Sequence, residues 1–228
     1  MGFRRFIRMF VCLLAALVLE AALLPENAQH EDLSSRYPAD GLRHLSVANS
    51  RDRARVRRGR SYNQMAGLNR YAELMQRNAG RIGMDWRLLA AIIFQESQFN
   101  EGAESVKSAK GLMQIRDVTA EHYGVDPEFL FDPDTNVFVG TKLLGDLLRS
   151  FREEGLDSTN VVRFALASYN SGGGALAKRR AEAVEAGLDP NDWESVAEIY
   201  RRTSNITPAY ITAIEETYAC YLDTVTVK

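Results

Sequence analysis

Trp86-Arg-Leu-Leu-Ala-Ala-Ile-Ile-Phe-Gln-Glu96-Ser97-Gln-Phe-Asn100 is the stretch on which the reading of this chain turns. Asp85 can cap a helix that starts at Trp86. Apolar residues recur at Leu88, Leu89, Ile92 and Ile93, which is helical spacing. Glu96 lies seven, four and three positions beyond Leu89, Ile92 and Ile93, so it shares their face. A carboxylate is thereby set on a stripe that should be buried. Asn100 and Gly102 predict that the helix ends soon afterwards, with Glu96 in its last turn. Apolar neighbours and the negative end of the helix dipole both disfavour the ionised form, so the pKa should rise. A carboxyl group of that kind can donate a proton near neutral pH. The alternative is plainer: such a glutamate pairs with a Lys or Arg, or its head reaches water.

Around this stretch the chain has 228 residues, 46% hydrophobic and 25% charged, an ordinary balance for a soluble globular protein. A net charge of −2 argues against nucleic acid as a partner. The histidines, His30, His44 and His122, are scattered, and neither they nor Cys12 and Cys220 show metal-ligand spacing. No metal or other cofactor is expected. Cys220, among Tyr218, Ala219, Tyr221 and Leu222, reads as a buried, inert thiol.

Residues 1–28 read as an export signal or an N-terminal membrane anchor. Arg4, Arg5 and Arg8 precede an apolar run, Met9 to Leu24, interrupted by Glu20, which is short for a membrane span. Residues 29–62 lack sustained apolar periodicity and read as a flexible, Arg-rich linker, with Arg51, Arg53, Arg55, Arg57, Arg58 and Arg60. Its arginines can meet anionic lipid or wall polymers, though a solvated tether is the simpler reading. Residues 63–228 form one domain, helical almost throughout. Helices are expected from Asn63 to Gly80, from Trp86, at Gly111–His122, Asn136–Glu154, Val161–Asn170, Ala175–Ala186 and Asp192–Arg202, and from Pro208 to about Leu222. No alternating strand of useful length is present, so the fold class is all-α.

Three segments carry more than a core requires. The first is Glu96-Ser97. The second is Gly111-Leu-Met-Gln114-Ile, approached through Ser105, Ser108 and Lys110; a glycine there lets backbone or ligand come close, and Gln114 offers donors and an acceptor. The third is Ala167-Ser-Tyr169-Asn170-Ser-Gly-Gly-Gly174, where Asn170 can cap a helix end. Each alone has an equally good structural explanation.

Taken together, the order Glu-Ser, Gly-Leu-Met-Gln and Tyr-Asn before glycines resembles the catalytic domain of soluble-type lytic transglycosylases, which share a fold with goose-type lysozyme. Ser105 follows Glu96 by nine residues and Gln114 by eighteen, as in that family. The stretch from Asp85 to Ser97 is most similar to the C-terminal domain of the membrane-bound F-type murein transglycosylases. Thr119-Ala120, Asp132-Pro133, Asn136 and Gly140 match a further block. The chain departs from the pattern at Arg116-Asp117, where Met-Pro is usual, which bears on one wall of the cleft.

The resemblance implies a goose-type lysozyme-like helical domain with a catalytic cleft. It implies cleavage of the β-1,4 bond between N-acetylmuramic acid and N-acetylglucosamine in peptidoglycan strands, with a 1,6-anhydro product. By similarity Glu96 is the acid/base, Ser105, Gln114 and Tyr169 hold the sugar, and Asn170 supports the cleft floor. No second carboxylate stands in a motif position; Glu101 and Glu104 read as surface residues. A hydrolase of the same fold, or a non-catalytic wall-binding protein, is the alternative. The expected setting is the periplasm or cell envelope, as a monomer, with membrane association through the N-terminal segment.

Overall fold

The computed structural model describes residues 62–224. The expected signal or anchor at 1–28 lies outside the described residues, as does the linker apart from Tyr62, which begins the first helix. Eight α-helices and one 3₁₀ turn follow in order. They are α1 Tyr62–Arg81, α2 Trp86–Ser97, α3 Asp117–His122, the 3₁₀ turn Pro127–Phe131, α4 Pro133–Glu153, α5 Ser158–Ser171, α6 Gly173–Glu185, α7 Trp193–Arg201 and α8 Ile206–Thr224. The described residues contain no named strand, only two isolated bridges between 104 and 115. No helix among them is long and apolar enough to cross a membrane.

The helix α2 is the hub. Its sequence suggests a one-sided stripe, but Leu88 to Ile93 are all buried, alanines included. A helix that is apolar all round belongs inside a core, and α2 is packed between α1 and α8. Each fully buried Leu or Ile there contributes roughly 1.5–3 kcal/mol. Asp85 caps α2 as expected, accepting from the Arg87 amide at 2.8 Å.

Arg87 is itself buried and closes a pair on Asp85, Nη2 to Oδ2 at 2.6 Å. Tyr218 of α8 donates to the same carboxylate at 3.2 Å. At the other end of α2, Glu96 meets Tyr210 of α8. Tyr218 thus sits by the start of α2 and Tyr210 by its end, so the two helices run antiparallel. Tyr210, Ile214 and Tyr218 are spaced by four and form the buried face of α8.

Several helix ends differ from the sequence reading, each for a local reason. The helix expected from Asn136 starts three residues earlier, at Pro133, because Asp132 caps it by accepting from the Thr135 amide at 2.8 Å. The helix α5 runs through Asn170 and ends at Gly172, whose φ of +84° does the work expected of Asn170. Gly173 and Gly174 then open α6. The helix expected over Gly111–His122 forms only from Asp117; Gly111 to Gln114 is a turn. Cys220 is buried, as its neighbours suggest.

Candidate active site

The chain leaves α2 by an uncommon route. Gln98 and Phe99 both adopt left-handed backbone, at φ 53° and 62°. Phe99 is driven into the core against α1, where a Cβ on Gly67 would lie 2.5 Å from its ring. Its ring stacks on Tyr71 at 6.4 Å. The Tyr71 hydroxyl donates to Glu101 at 2.5 Å, and Arg70 also pairs with Glu101 at 3.1 Å. Glu101, expected as a plain surface residue, is thus tied to α1. Glu104 is exposed.

Residues 103–115 then fold into a tight double turn. Lys110 and Ile115 exchange both amide hydrogen bonds at 2.9 Å, and the Gly111 amide donates to Ala103 O at 2.8 Å. All four non-glycine residues with positive φ among the described residues, Gln98, Phe99, Ser108 and Gln114, fall in this connection. Strained backbone persists only where surroundings over-determine it, and it gathers at functional sites.

The over-determining group is Asn136 of α4. It is fully buried, and its Oδ1 accepts from the Met113 amide at 2.7 Å. Its Nδ2 donates to Lys110 O at 2.8 Å and Leu130 O at 2.7 Å. Gly111, at φ +72°, lies so close that a Cβ would collide with Asn136 Nδ2 and Leu130 O. Gly140, one turn further along α4, receives Met113: a Cβ there would sit 2.5 Å from its sulfur. Ser97 adds a strut from α2, donating to Leu112 O at 2.8 Å, with Ile93 O at 3.2 Å. The Asn136 and Gly140 block therefore has a physical purpose, which is to clamp the Gly-Leu-Met-Gln turn beside the end of α2.

Glu96 stands at that end, half-buried. Its Oε1 accepts from the Tyr210 hydroxyl at 2.6 Å, and neither Lys nor Arg pairs with it among the described residues. Burial lifts its pKa to about 7, and the Tyr210 hydrogen bond, which favours the ionised form, opposes the rise. Tyr210 and Tyr169 are held neutral, their pKa values well above the usual phenol value; burial is the main cause and the Glu96 charge adds to it. Both rings therefore lie within electrostatic reach of the carboxylate.

The other expected site residues are partly committed to the scaffold. Tyr169 donates to Met113 O at 2.8 Å, which joins α5 to the clamped turn. Gln114 Nε2 donates to Gly111 O at 3.0 Å and Ala103 O at 3.2 Å, which leaves its carbonyl oxygen available. The Ser105 hydroxyl oxygen accepts from the Ala109 amide at 3.0 Å and the Lys107 amide at 3.3 Å. Asn170 is exposed and accepts from Thr207 at 3.0 Å, which ties α5 to the first turn of α8. Glu96, Tyr169 and Tyr210 are thus brought together, whereas Ser105 and Gln114 sit in the turn beside them. Tyr210 was missed by sequence reasoning. Its only signal is the four-residue spacing to Ile214 and Tyr218, which marks a buried face but names no partner.

The chain is similar to known proteins in sequence and in fold. The family model described as "Transglycosylase SLT domain" matches residues 73–189. A membrane-bound lytic murein transglycosylase F from Desulfosudis oleivorans is 40% identical over 132 residues, which cover 58% of this chain and 28% of that protein. Its namesake from Stutzerimonas stutzeri is 39% identical over 137 residues, 60% of this chain and 28% of the relative. The chain thus spans little more than a quarter of these curated relatives. Among solved structures, an inactive mutant of lytic transglycosylase Slt from Pseudomonas aeruginosa superposes with a TM-score of 0.53 at 21% identity, over 68% of this chain and 25% of that one. At that identity the match speaks to the helical fold alone.

Proposed function

This chain belongs to the transglycosylase SLT domain family, and on that footing we propose that it is a peptidoglycan lytic transglycosylase whose one acid/base is Glu96. The observation that carries the reading is a half-buried carboxyl group, raised to about 7, that lacks a cation and is hydrogen-bonded to Tyr210. A glycosidase of the usual kind sets two carboxylates across the scissile bond. Here burial, and no second carboxylate, raises the pKa of Glu96.

With Oε1 held by Tyr210, Oε2 is left to carry the proton. In the first step Glu96 gives that proton to the glycosidic oxygen and the bond to the sugar breaks. The substrate's own N-acetyl group supports the positive charge at the anomeric carbon, a substrate-assisted course. In the second step Glu96, now a carboxylate, takes the proton of the same sugar's 6-hydroxyl. The 6-oxygen attacks the anomeric carbon and closes a 1,6-anhydro ring, with no water consumed. Gln114, Ser105 and Tyr169 line the sugar side, and Asn170 supports the floor through Thr207.

We assign residues 63–228 to this domain, 29–62 to a linker and 1–28 to an export signal or membrane anchor, and we place a monomeric protein in the cell envelope. Mass spectrometry of digested peptidoglycan tests the chemistry. Anhydro-muropeptides are expected; products with reducing ends alone would mean that the site delivers water and acts as a hydrolase. No release from purified sacculi would mean a binding protein.

A further inference from the structure

A second concavity lies apart from Glu96. It is a groove of about 520 Å³ between the last turns of α1, the 3₁₀ turn and the start of α4. Arg77, Asn78, Arg81, Asp126, Phe129 and Phe138 line it, and none of these belongs to the Glu96 network. Phe129 and Phe138 keep 53% and 38% of their surface exposed, which is costly unless something covers them.

The groove holds a pre-positioned cation. Arg81 Nη1 donates to Asn78 Oδ1 at 2.9 Å. Asn78 is 3% exposed and is itself fixed by its bond to Leu74 O at 2.9 Å. The Arg81 guanidinium lies 5.5 Å from the centre of the Phe138 ring, and Lys142 Nζ lies 6.0 Å from the same ring. Among the described residues neither Arg81 nor Lys142 faces a carboxylate within ion-pair distance, whereas Arg77 is paired with Asp134 at 2.7 Å. The Asp126 carboxylate is the one negative group left over, and it accepts from the Glu128 amide. The groove lining therefore carries one cation, Arg81, and one carboxylate, Asp126, that have no ion-pair partner among the described residues, together with two part-exposed aromatic rings.

We propose that this groove binds carboxylate-bearing peptide arms of the wall polymer whose glycan the Glu96 cleft cuts. The choice of polymer rests on the function proposed above; the choice of chemistry rests on the groove. A carboxylate meets the oriented Arg81 fork, an ammonium on the same peptide meets Asp126, and apolar portions cover Phe129 and Phe138.

The test uses the Glu96→Gln protein, so that turnover plays no part. N-acetyl-Ala-Glu-Lys is compared by NMR titration with N-acetyl-Ala-Gln-Lys-amide, which lacks both carboxylates. The first peptide should shift the Phe129 and Phe138 ring resonances and bind at least about tenfold more tightly than the second. Adding Arg81→Gln should erase the difference. Phe129→Ala, which keeps every charge, should weaken both peptides about fivefold. Equal affinity for the two peptides, or shifts confined to Tyr169 and Tyr210, would overturn the groove. Failure of the wild type to cut peptide-free glycan would count against the reading of Glu96 and leave the binding result standing.

Discussion

Glu96 and Glu215 are both half-buried carboxylates, one facing α8 from α2 and one on α8 itself, and burial raises the pKa of each. Their surroundings differ in one respect. Arg163 of α5 reaches Glu215 with Nε to Oε1 at 2.7 Å, the two side chains being 20% and 13% exposed. Glu96 is given only the Tyr210 hydroxyl. A carboxylate that is supplied with a cation is drawn back toward its charged form, and the pair joins two helices. One that is supplied with a neutral donor can take up and release a proton near neutrality. The same fold thus uses one glutamate as a joint and leaves the other for chemistry.

Paired substitutions sharpen that contrast most. Glu96→Gln should lower release of anhydro-muropeptides from sacculi by roughly 10²–10⁴-fold, the usual range for an acid/base group, while sedimentation with sacculi is retained. Glu215→Gln should leave that rate within about threefold but lower stability by about 1–3 kcal/mol in urea unfolding, because Arg163 loses its shorter, less exposed ion pair and keeps only Glu194 at 3.2 Å. If both variants fold and Glu215→Gln is the inactive one, the assignment is reversed.

A second experiment breaks the scaffold on the Glu96 side. Asn136→Ala removes three hydrogen bonds from the clamped turn and should cost about 2–4 kcal/mol, with activity falling in the fraction that remains folded. Unchanged denaturation and kinetics would mean that Leu130 and Gly111 hold the turn unaided.

The third uses pH. The folded chain binds the Glu96 proton more tightly than the unfolded one, so the associated stability is fully present below about 4.5 and is lost as pH rises through about 7. The stability of Glu96→Gln relative to wild type should therefore grow across that window, by at most about 3 kcal/mol. A difference that is flat from pH 4 to 8 would show that the carboxylate is not desolvated. Glu215 is common to both proteins and cancels.

The smallest effect is expected from Tyr210→Phe. Removing the donor to the ionised form should raise the Glu96 pKa further, so the limb of the pH–rate profile that requires the protonated acid should move about half a unit to higher pH. The rate at its optimum should fall severalfold as the carboxyl group loses its orientation. A shift to lower pH would mean that the hydroxyl favours the neutral acid.

Much of this was legible along the chain. The apolar spacing from Leu88 to Ile93 marks α2, Asp85 marks its start, and the same spacing sets Glu96 on its buried face. Gly111 is visible as a residue that something must approach closely, though not as a turn. A glycine that opens a helix and a glycine that sits in a left-handed turn have the same local signature, and only Asn136 pressing from α4 distinguishes them. Asn170 and Gly172 are alike along the chain for a related reason, since both tolerate the left-handed cap and the backbone takes the residue without a side-chain penalty.

By itself, then, the sequence determined an all-α domain, a helix with one buried face, and a carboxylate at its end, because helical spacing is a property of neighbours. It could not say whether that carboxylate meets an arginine or a tyrosine. Tyr210 lies 114 residues away and reaches Glu96 only because α8 runs antiparallel to α2, with Tyr218 anchored at the opposite end. Whether the group acts as a joint or as an acid is decided there, by which donor the tertiary packing delivers to a desolvated oxygen.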